Sequence, residues 1–87
     1  MDDRTAGRIN RAINLLGMYG HALAMPFSKP IGNGLFELRV EGATTVRMLY
    51  GFCDESAIIV FAGKKERSAL LRRNIILAHK RLALYCW

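Results

Sequence analysis

Two neighbouring segments near the middle of the chain alternate apolar and polar residues. The segments are FELRV, residues 36–40, and VRMLY, residues 46–50, and each has an apolar side chain at every second position. This period of two is typical of half-buried strands, so the segments predict an antiparallel hairpin. The alternating apolar side chains share one face only in one register, which leaves a three-residue loop at 42–44. The predicted pairs are Val40–Val46, Leu38–Met48 and Phe36–Tyr50.

This register places Arg39 directly opposite Arg47 on the other face of the hairpin. Like charges on opposed residues repel, at a cost of about a few tenths of a kcal/mol, unless an anion lies between them. One candidate anion is Glu37, which is diagonal to Arg47. The other is a bound phosphate, which arginine side chains recognise well. The sequence gives the two interpretations equal weight.

The flanking segments predict two helices and a third strand. Residues 4–18 have apolar residues at helical spacing, and the segment after residue 65 does so again with Leu71, Ile75, Ala78 and Leu82. The apolar run AIIVFA, residues 57–62, predicts a strand that is covered on both faces. Residues 21–34 contain both prolines and predict an irregular connection. The expected fold is α+β: a small antiparallel meander of about three strands, flanked by an N-terminal and a C-terminal helix, in a single domain over residues 1–87.

Positive charge is concentrated at the carboxyl end of the chain. Residues 64–87 contain seven basic residues and one acidic residue, so they carry the whole net charge of +6. A basic block on a folded domain is typical of proteins that bind a polyanion, most often nucleic acid, although a solvated basic helix face gives the same pattern. The residues that would bind RNA are Arg67, Arg72, Arg73, Lys80 and Arg81.

Composition also excludes several classes of site. His21 and His79 are isolated in the sequence and no cysteine pair has metal-ligand spacing, so neither a metal nor another cofactor is expected. The chain has no apolar run near the length of a membrane span and opens with the charged MDDRTAGR, which predicts a cytoplasmic protein without a membrane partner. In that compartment Cys53 and Cys86 are expected to be free thiols.

Four segments in this order resemble the HigB/RelE-like toxins of bacterial type II toxin–antitoxin systems, in particular their phage-derived killer-protein branch. They are KPIGNGLFELRV, TVRMLYGF, the apolar strand before Lys64 and Lys65, and RRNIILAHKRLALY, and the resemblance runs from about Arg8 to Cys86. It implies a small antiparallel sheet flanked by helices. It also implies ribosome-dependent cleavage of mRNA and neutralisation by a helix-turn-helix antitoxin, so the expected partners are that antitoxin, the ribosome and mRNA.

Metal-free RNA cleavage requires a base, cations that stabilise the phosphorane, and an acid for the leaving oxygen. Arg39 and Arg47 suit the cationic role. Lys64 or Lys65 could act as the base, because a lysine among other cations loses its proton more readily; both could equally be solvated. Tyr85 could donate a proton or stack on a nucleobase, but an apolar lid over the second helix is slightly favoured.

Several positions depart from the family pattern. Only three residues precede the first helix, so the family's usual first strand is expected to be missing. Phe61 stands where a histidine is frequent, and Gly63 where an aromatic residue is usual. These departures support an alternative, a weakened relic that binds antitoxin or RNA without cleaving. A plain RNA-binding module is disfavoured, because no aromatic stacking platform is predicted on the Arg39 face.

Overall fold

The computed structural model of the protein describes residues 3–24, 27–64 and 72–86. Its elements are α1 (Asp3–Tyr19), a short 3₁₀ turn (Gly20–Ala22), β1 (Ser28–Gly32), β2 (Leu35–Val40), β3 (Val46–Cys53), β4 (Ser56–Lys64) and α2 (Arg72–Tyr85). The strands form one antiparallel meander in the order β1-β2-β3-β4. The predicted α+β class and both helices are therefore confirmed, with four strands in place of about three.

The register of the central hairpin is the predicted one. Val40 pairs with Val46, and Arg39 pairs with Arg47 across β2 and β3. The connection is longer than predicted, because the strands end at Val40 and resume at Val46. Arg8 of α1 donates a hydrogen bond of 3.0 Å to the main-chain carbonyl of Glu41, which ties this connection to the first helix.

The first strand lies in a segment for which an irregular connection was predicted, and that prediction is wrong. The strand is at the edge of the sheet, where the missing N–H of Pro30 is tolerated. A tight turn joins it to β2, with Asn33 at φ 54° and Gly34 at φ 84°. Positive φ at both central residues is the hairpin geometry that Asn-Gly favours.

The fourth strand is the other edge of the sheet and is not covered on both faces. Of its nine residues only Val60 is buried, and Ile59 is 38% exposed. A bulge in β4 leaves Val60 without a partner in β3, so that Leu49 lies opposite Phe61 and the next residue, Tyr50, lies opposite Ile59. The apolar run therefore belongs to an edge strand whose Ile58, Val60 and Phe61 pack on the α2 side, while Ile59 is part-exposed on the α1 side.

Each helix covers one face of the sheet. The face under α1 contains Leu38, Met48 and Tyr50, which are buried together with Leu16 of the helix. The opposite face contains Leu35, Leu49 and Val60, which pack against Ala78 of α2. Because cross-strand partners point the same way, Arg39 and Arg47 share the α2 face with Leu49.

The cysteines are bonded to each other, so the prediction of free thiols is wrong. A disulfide joins Cys53 at the end of β3 to Cys86 just after α2. The prediction failed because it rested on the expected compartment, whereas the packing of α2 along the sheet brings the two positions together. Leu82 packs at Gly51 on the same part of the face. The carboxyl end of α2 therefore lies at the turn between β3 and β4.

The close contact at Gly51 predicts opposite effects of two glycine substitutions. A methyl group at Gly51 would collide with Leu82 and lie 3.1 Å from the carbonyl oxygen of Gly34, whereas one at Gly7 in α1 meets nothing within 4 Å. We expect Gly51→Ala to lower the free energy of unfolding by about 1–3 kcal/mol. Gly7→Ala should raise it by about 0.5–1 kcal/mol, because alanine favours a helix interior. Urea unfolding measures both, and equal effects would contradict the packing of α2.

Tyr50 predicts a loss of stability at alkaline pH. Burial raises the pKa of its hydroxyl above the ordinary value of 10.0, partly offset by the hydrogen bond with Ser28. Above about pH 10 the unfolded chain therefore ionises this group more readily than the folded protein does, and the free energy of unfolding falls. Tyr50→Phe should weaken this fall between pH 8 and pH 11, and Tyr19→Phe, at an exposed site, should leave it unchanged. Identical pH profiles for Tyr50→Phe and the parent protein would exclude the effect.

Candidate functional site

A carboxylate lies between the two facing arginines. The Glu37 Oε1 atom accepts hydrogen bonds from Arg39 at 3.2 Å (Nε) and 3.0 Å (Nη2), and its Oε2 atom lies 2.9 Å from the Nε atom of Arg47. All three residues come from β2 and β3, on the face that α2 packs against. One side chain thus compensates both arginines, which was one of the two interpretations that the sequence left open.

The two arginines differ in exposure. The side chains of Arg47 and Glu37 are each 6% exposed, whereas that of Arg39 is 30% exposed. A second carboxylate, Glu41, lies 3.9 Å from Nη1 of Arg39 and is itself 72% exposed. The buried pair is therefore part of the folded sheet, and Arg39 is the cation of this cluster that a ligand can reach.

The chemistry of this cluster follows from its geometry. Glu37 holds Arg39 through Nε and Nη2, which fixes the plane of the guanidinium group. Among the described residues, the Nη1 atom of Arg39 has a 3.9 Å contact with Glu41, and an ion pair of that length and exposure contributes little to stability. A phosphate oxygen can replace Glu41 there and gain a charge-assisted hydrogen bond. The cluster can thus present one oriented cation to a phosphate.

The neighbourhood of Arg47 holds two features that the sequence did not indicate. Gly63 lies opposite Arg47 in β4, so no side chain fills that position. Phe61 lies opposite Leu49 and packs half-buried on the same face. The bulge in the pairing produces this placement, and an unbroken apolar run gives no signal of a bulge.

The structure does not bring the predicted base to the arginines. Lys64 is exposed and pairs with Val46, and cross-strand partners share a face. Val46 belongs to the core under α1. Lys64 is therefore assigned to the face opposite that of Arg39 and Arg47. The other candidate base, Lys65, lies outside the described residues.

Tyr85 lies far from the arginines along the sheet. Its neighbour Cys86 is bonded to Cys53, which is six residues from Arg47 along β3. At about 3.3 Å per residue this separates Arg47 from the Cys53 end by roughly 20 Å. Tyr85 is also 66% exposed, so the prediction of an apolar lid over α2 is wrong.

The basic residues predicted to bind RNA fall into three groups. Arg72, Arg73 and Lys80 are exposed on α2. Arg81 donates a hydrogen bond of 2.8 Å to the carbonyl oxygen of Val60, so it satisfies a main-chain acceptor on the edge strand and secures α2 to the sheet. Arg67 lies outside the described residues.

Two further properties concern the described part of the chain. Neither α1 nor α2 combines the length and apolar character that a membrane-spanning helix needs. Within residues 3–24, 27–64 and 72–86, no three histidine, cysteine or acidic side chains come together as a metal site would require.

Comparison with known proteins identifies a family for this chain. A family model described as "Phage derived protein Gp49-like (DUF891)" matches residues 1–83, which is nearly the whole chain. No curated protein and no solved structure matches it significantly.

The ion-pair geometry predicts unequal costs for removing its members. Glu37→Gln removes the carboxylate paired with the buried Arg47 and should lower the free energy of unfolding by about 3–5 kcal/mol. Arg39→Gln should cost about 0–1 kcal/mol, because its side chain is part-exposed and Glu37 keeps its contact with Arg47.

Chemical denaturation measures these differences, and Glu41→Gln is the matched control. The described contact of the Glu41 carboxylate is long and exposed, and the substitution keeps the main-chain carbonyl that binds Arg8, so it should change stability by less than about 0.5 kcal/mol. Equal losses for Glu37→Gln and Glu41→Gln would show that the buried contact contributes nothing.

Proposed function

Because the chain belongs to the family of phage-derived Gp49-like proteins, a family of toxin-like proteins of toxin–antitoxin systems, we propose that it is the toxin of such a system. We propose further that it is a ribosome-dependent mRNA endonuclease of the HigB/RelE-like type. The observation that carries the proposal is the family match over residues 1–83. Its partners would be a helix-turn-helix antitoxin, the ribosome and mRNA.

The arginine cluster supports the nuclease part of the proposal. RNA cleavage through the 2′-hydroxyl places an additional negative charge on the oxygens of the scissile phosphate. Arg39 is held in a fixed orientation by Glu37, so it can meet that charge without reorganising. In this mechanism Arg39 contacts the phosphate, Arg47 anchors Glu37, and Glu37 orients Arg39. Arg47 is then a positioning residue, since its side chain is buried.

The remaining cations support binding of RNA before cleavage. Arg72, Arg73 and Lys80 are exposed on a helix that has no acidic residue. Contacts between such cations and phosphates are independent of nucleotide sequence and weaken steeply with salt. No residue is assigned to the general base or the general acid in this mechanism, because Lys64 lies on the other face of the sheet and Tyr85 lies at its far end.

One observation favours the second candidate function, a relic that binds RNA or antitoxin without cleaving. Both arginines already share the carboxylate of Glu37, so the net charge of the three side chains is only one positive unit. One net positive charge is enough to bind a phosphate, but it stabilises the additional negative charge of the transition state only weakly. In this case ribosome binding persists without new mRNA ends.

Induction of the protein in bacteria without an antitoxin tests the proposal. We expect translation to stop within minutes and mapped mRNA to show new ends inside translated regions. Arg39→Gln should reduce cleavage by about two to three orders of magnitude, the usual effect of removing a preorganised charge from a transition state. Arg11→Gln is the matched control, because it removes one exposed charge from α1 and should leave cleavage unchanged.

Three outcomes are decisive. Normal growth and intact mRNA at confirmed soluble expression would contradict the nuclease, and salt-dependent sedimentation with ribosomes would then favour the relic. Equal cleavage by Arg39→Gln and Arg11→Gln would remove Arg39 from the mechanism.

A further inference from the structure

The outward face of α2 exposes large apolar side chains that the fold does not use. Leu84 is 75% exposed, Ile76 is 46% exposed and Leu77 is 38% exposed. Ala78 marks the inward side of the same helix, since it is fully buried against the sheet. A helix needs only one apolar side to pack on a sheet, so this second apolar side requires another explanation.

Helical geometry places these side chains in one patch. At about 100° per residue, the six positions that point away from Ala78 fall within roughly a third of the helix circumference. Lys80 lies in the middle of them, with apolar neighbours one turn before and one turn after. Arg73 lies two turns before Lys80. The outer patch consists of Arg73, Ile76, Leu77, Lys80, Ala83 and Leu84.

The charge of the patch limits its possible occupant. The helix Arg72–Tyr85 contains no acidic residue. A second copy of the chain would oppose cations to cations, which disfavours self-association through this surface. A lipid surface requires a helix face without a charge at its centre, whereas Lys80 stands at the centre of this one. RNA could contact Arg73 and Lys80, as the proposed nuclease requires, but it would leave the three aliphatic side chains of the patch against a hydrated phosphate backbone, so these apolar residues call for a different ligand that would compete with RNA for the two cations.

We propose that the outer patch of α2 binds an amphipathic helix of a partner protein that carries two acidic residues seven positions apart, each flanked by apolar residues. One carboxylate would pair with Lys80 and the other with Arg73, which are themselves seven positions apart. The apolar residues between the two carboxylates would pack on Ile76 and Leu77, and the apolar residues beyond the carboxylate at Lys80 would pack on Leu84. Spacing of seven keeps both carboxylates on one helix face.

This proposal goes beyond the proposed nuclease and does not depend on it. The patch is on the side of α2 that faces away from the sheet, whereas Arg39 and Arg47 are on the sheet face that α2 covers. Binding at the patch therefore requires no RNA and no catalysis, and it can fail while the nuclease proposal stands.

A synthetic helical peptide of about 20 residues tests the patch, with leucines around two glutamates seven positions apart. Its binding to the folded protein is followed by fluorescence anisotropy. We expect saturable binding that Leu84→Ser weakens by about tenfold, because burial of a leucine contributes on that scale. Met18→Ser is the matched control: Met18 is 74% exposed on α1 and Leu84 is 75% exposed on α2. It should leave the affinity unchanged.

Charge reversal tests the pairing. Lys80→Glu should lower the affinity for the peptide by at least about tenfold. A second peptide, in which lysine replaces the glutamate that faces position 80, should recover most of that affinity in the Lys80→Glu protein. Arg11→Glu on α1 should do neither. The proposal is overturned if the peptide does not saturate, or if Met18→Ser weakens it as much as Leu84→Ser.

Other ligands give the remaining outcomes. Vesicles of phosphatidylglycerol and phosphatidylcholine, or a single-stranded RNA oligonucleotide, could bind in place of the peptide. If the parent protein binds vesicles or RNA but not the peptide, and Leu84→Ser abolishes that binding, the patch binds that ligand and the proposal is wrong. Concentration-dependent dimers that Leu84→Ser abolishes would also contradict it.

Discussion

The fold and its candidate site both depend on the carboxylate of Glu37. It lies between two arginines that strand pairing forces to face each other, and it contacts Arg39 at 3.0 Å and Arg47 at 2.9 Å. Without it, like charges would oppose each other on a largely buried face, at a cost far above that of an exposed pair. The register that buries Leu38 and Met48 under α1 therefore requires an acidic residue at position 37.

The contacts with Glu37 also give the two arginines different roles. The buried arginine belongs to the scaffold, and the part-exposed one retains a side that a phosphate can approach. At the other end of this sheet face, α2 is held to the sheet by two different contacts. Leu82 packs on Gly51, and the Cys53–Cys86 disulfide joins the end of α2 to the end of β3. Tyr85 lies at that end, so Tyr85 and the two arginines, which the sequence grouped into one catalytic set, occupy opposite ends of the sheet.

The hairpin could be predicted from the sequence because a period of two and a buried face permit only one register. The edge strands could not, for different reasons. Pro30 suggested a loop, although an edge strand tolerates proline, and the Asn33-Gly34 turn was the signal that could have identified β1. In β4, a bulge places Phe61 on the arginine face, and the pairing of Lys64 with Val46 assigns that lysine to the other face. An unbroken apolar run has no alternation of apolar and polar residues, so the sequence does not indicate which face each of these side chains lies on.

Nitrogen-15 NMR of the arginine Nε–H groups, during a titration with inorganic phosphate, tests the central claim most directly. The structure predicts that the Arg47 signal exchanges slowly with solvent and does not move, because its Nε lies against Glu37 in a side chain only 6% exposed. The Arg39 signal should shift and saturate. Equal shifts for the two arginines, or solvent exchange of Arg47 as fast as that of the exposed Arg72, would contradict the account.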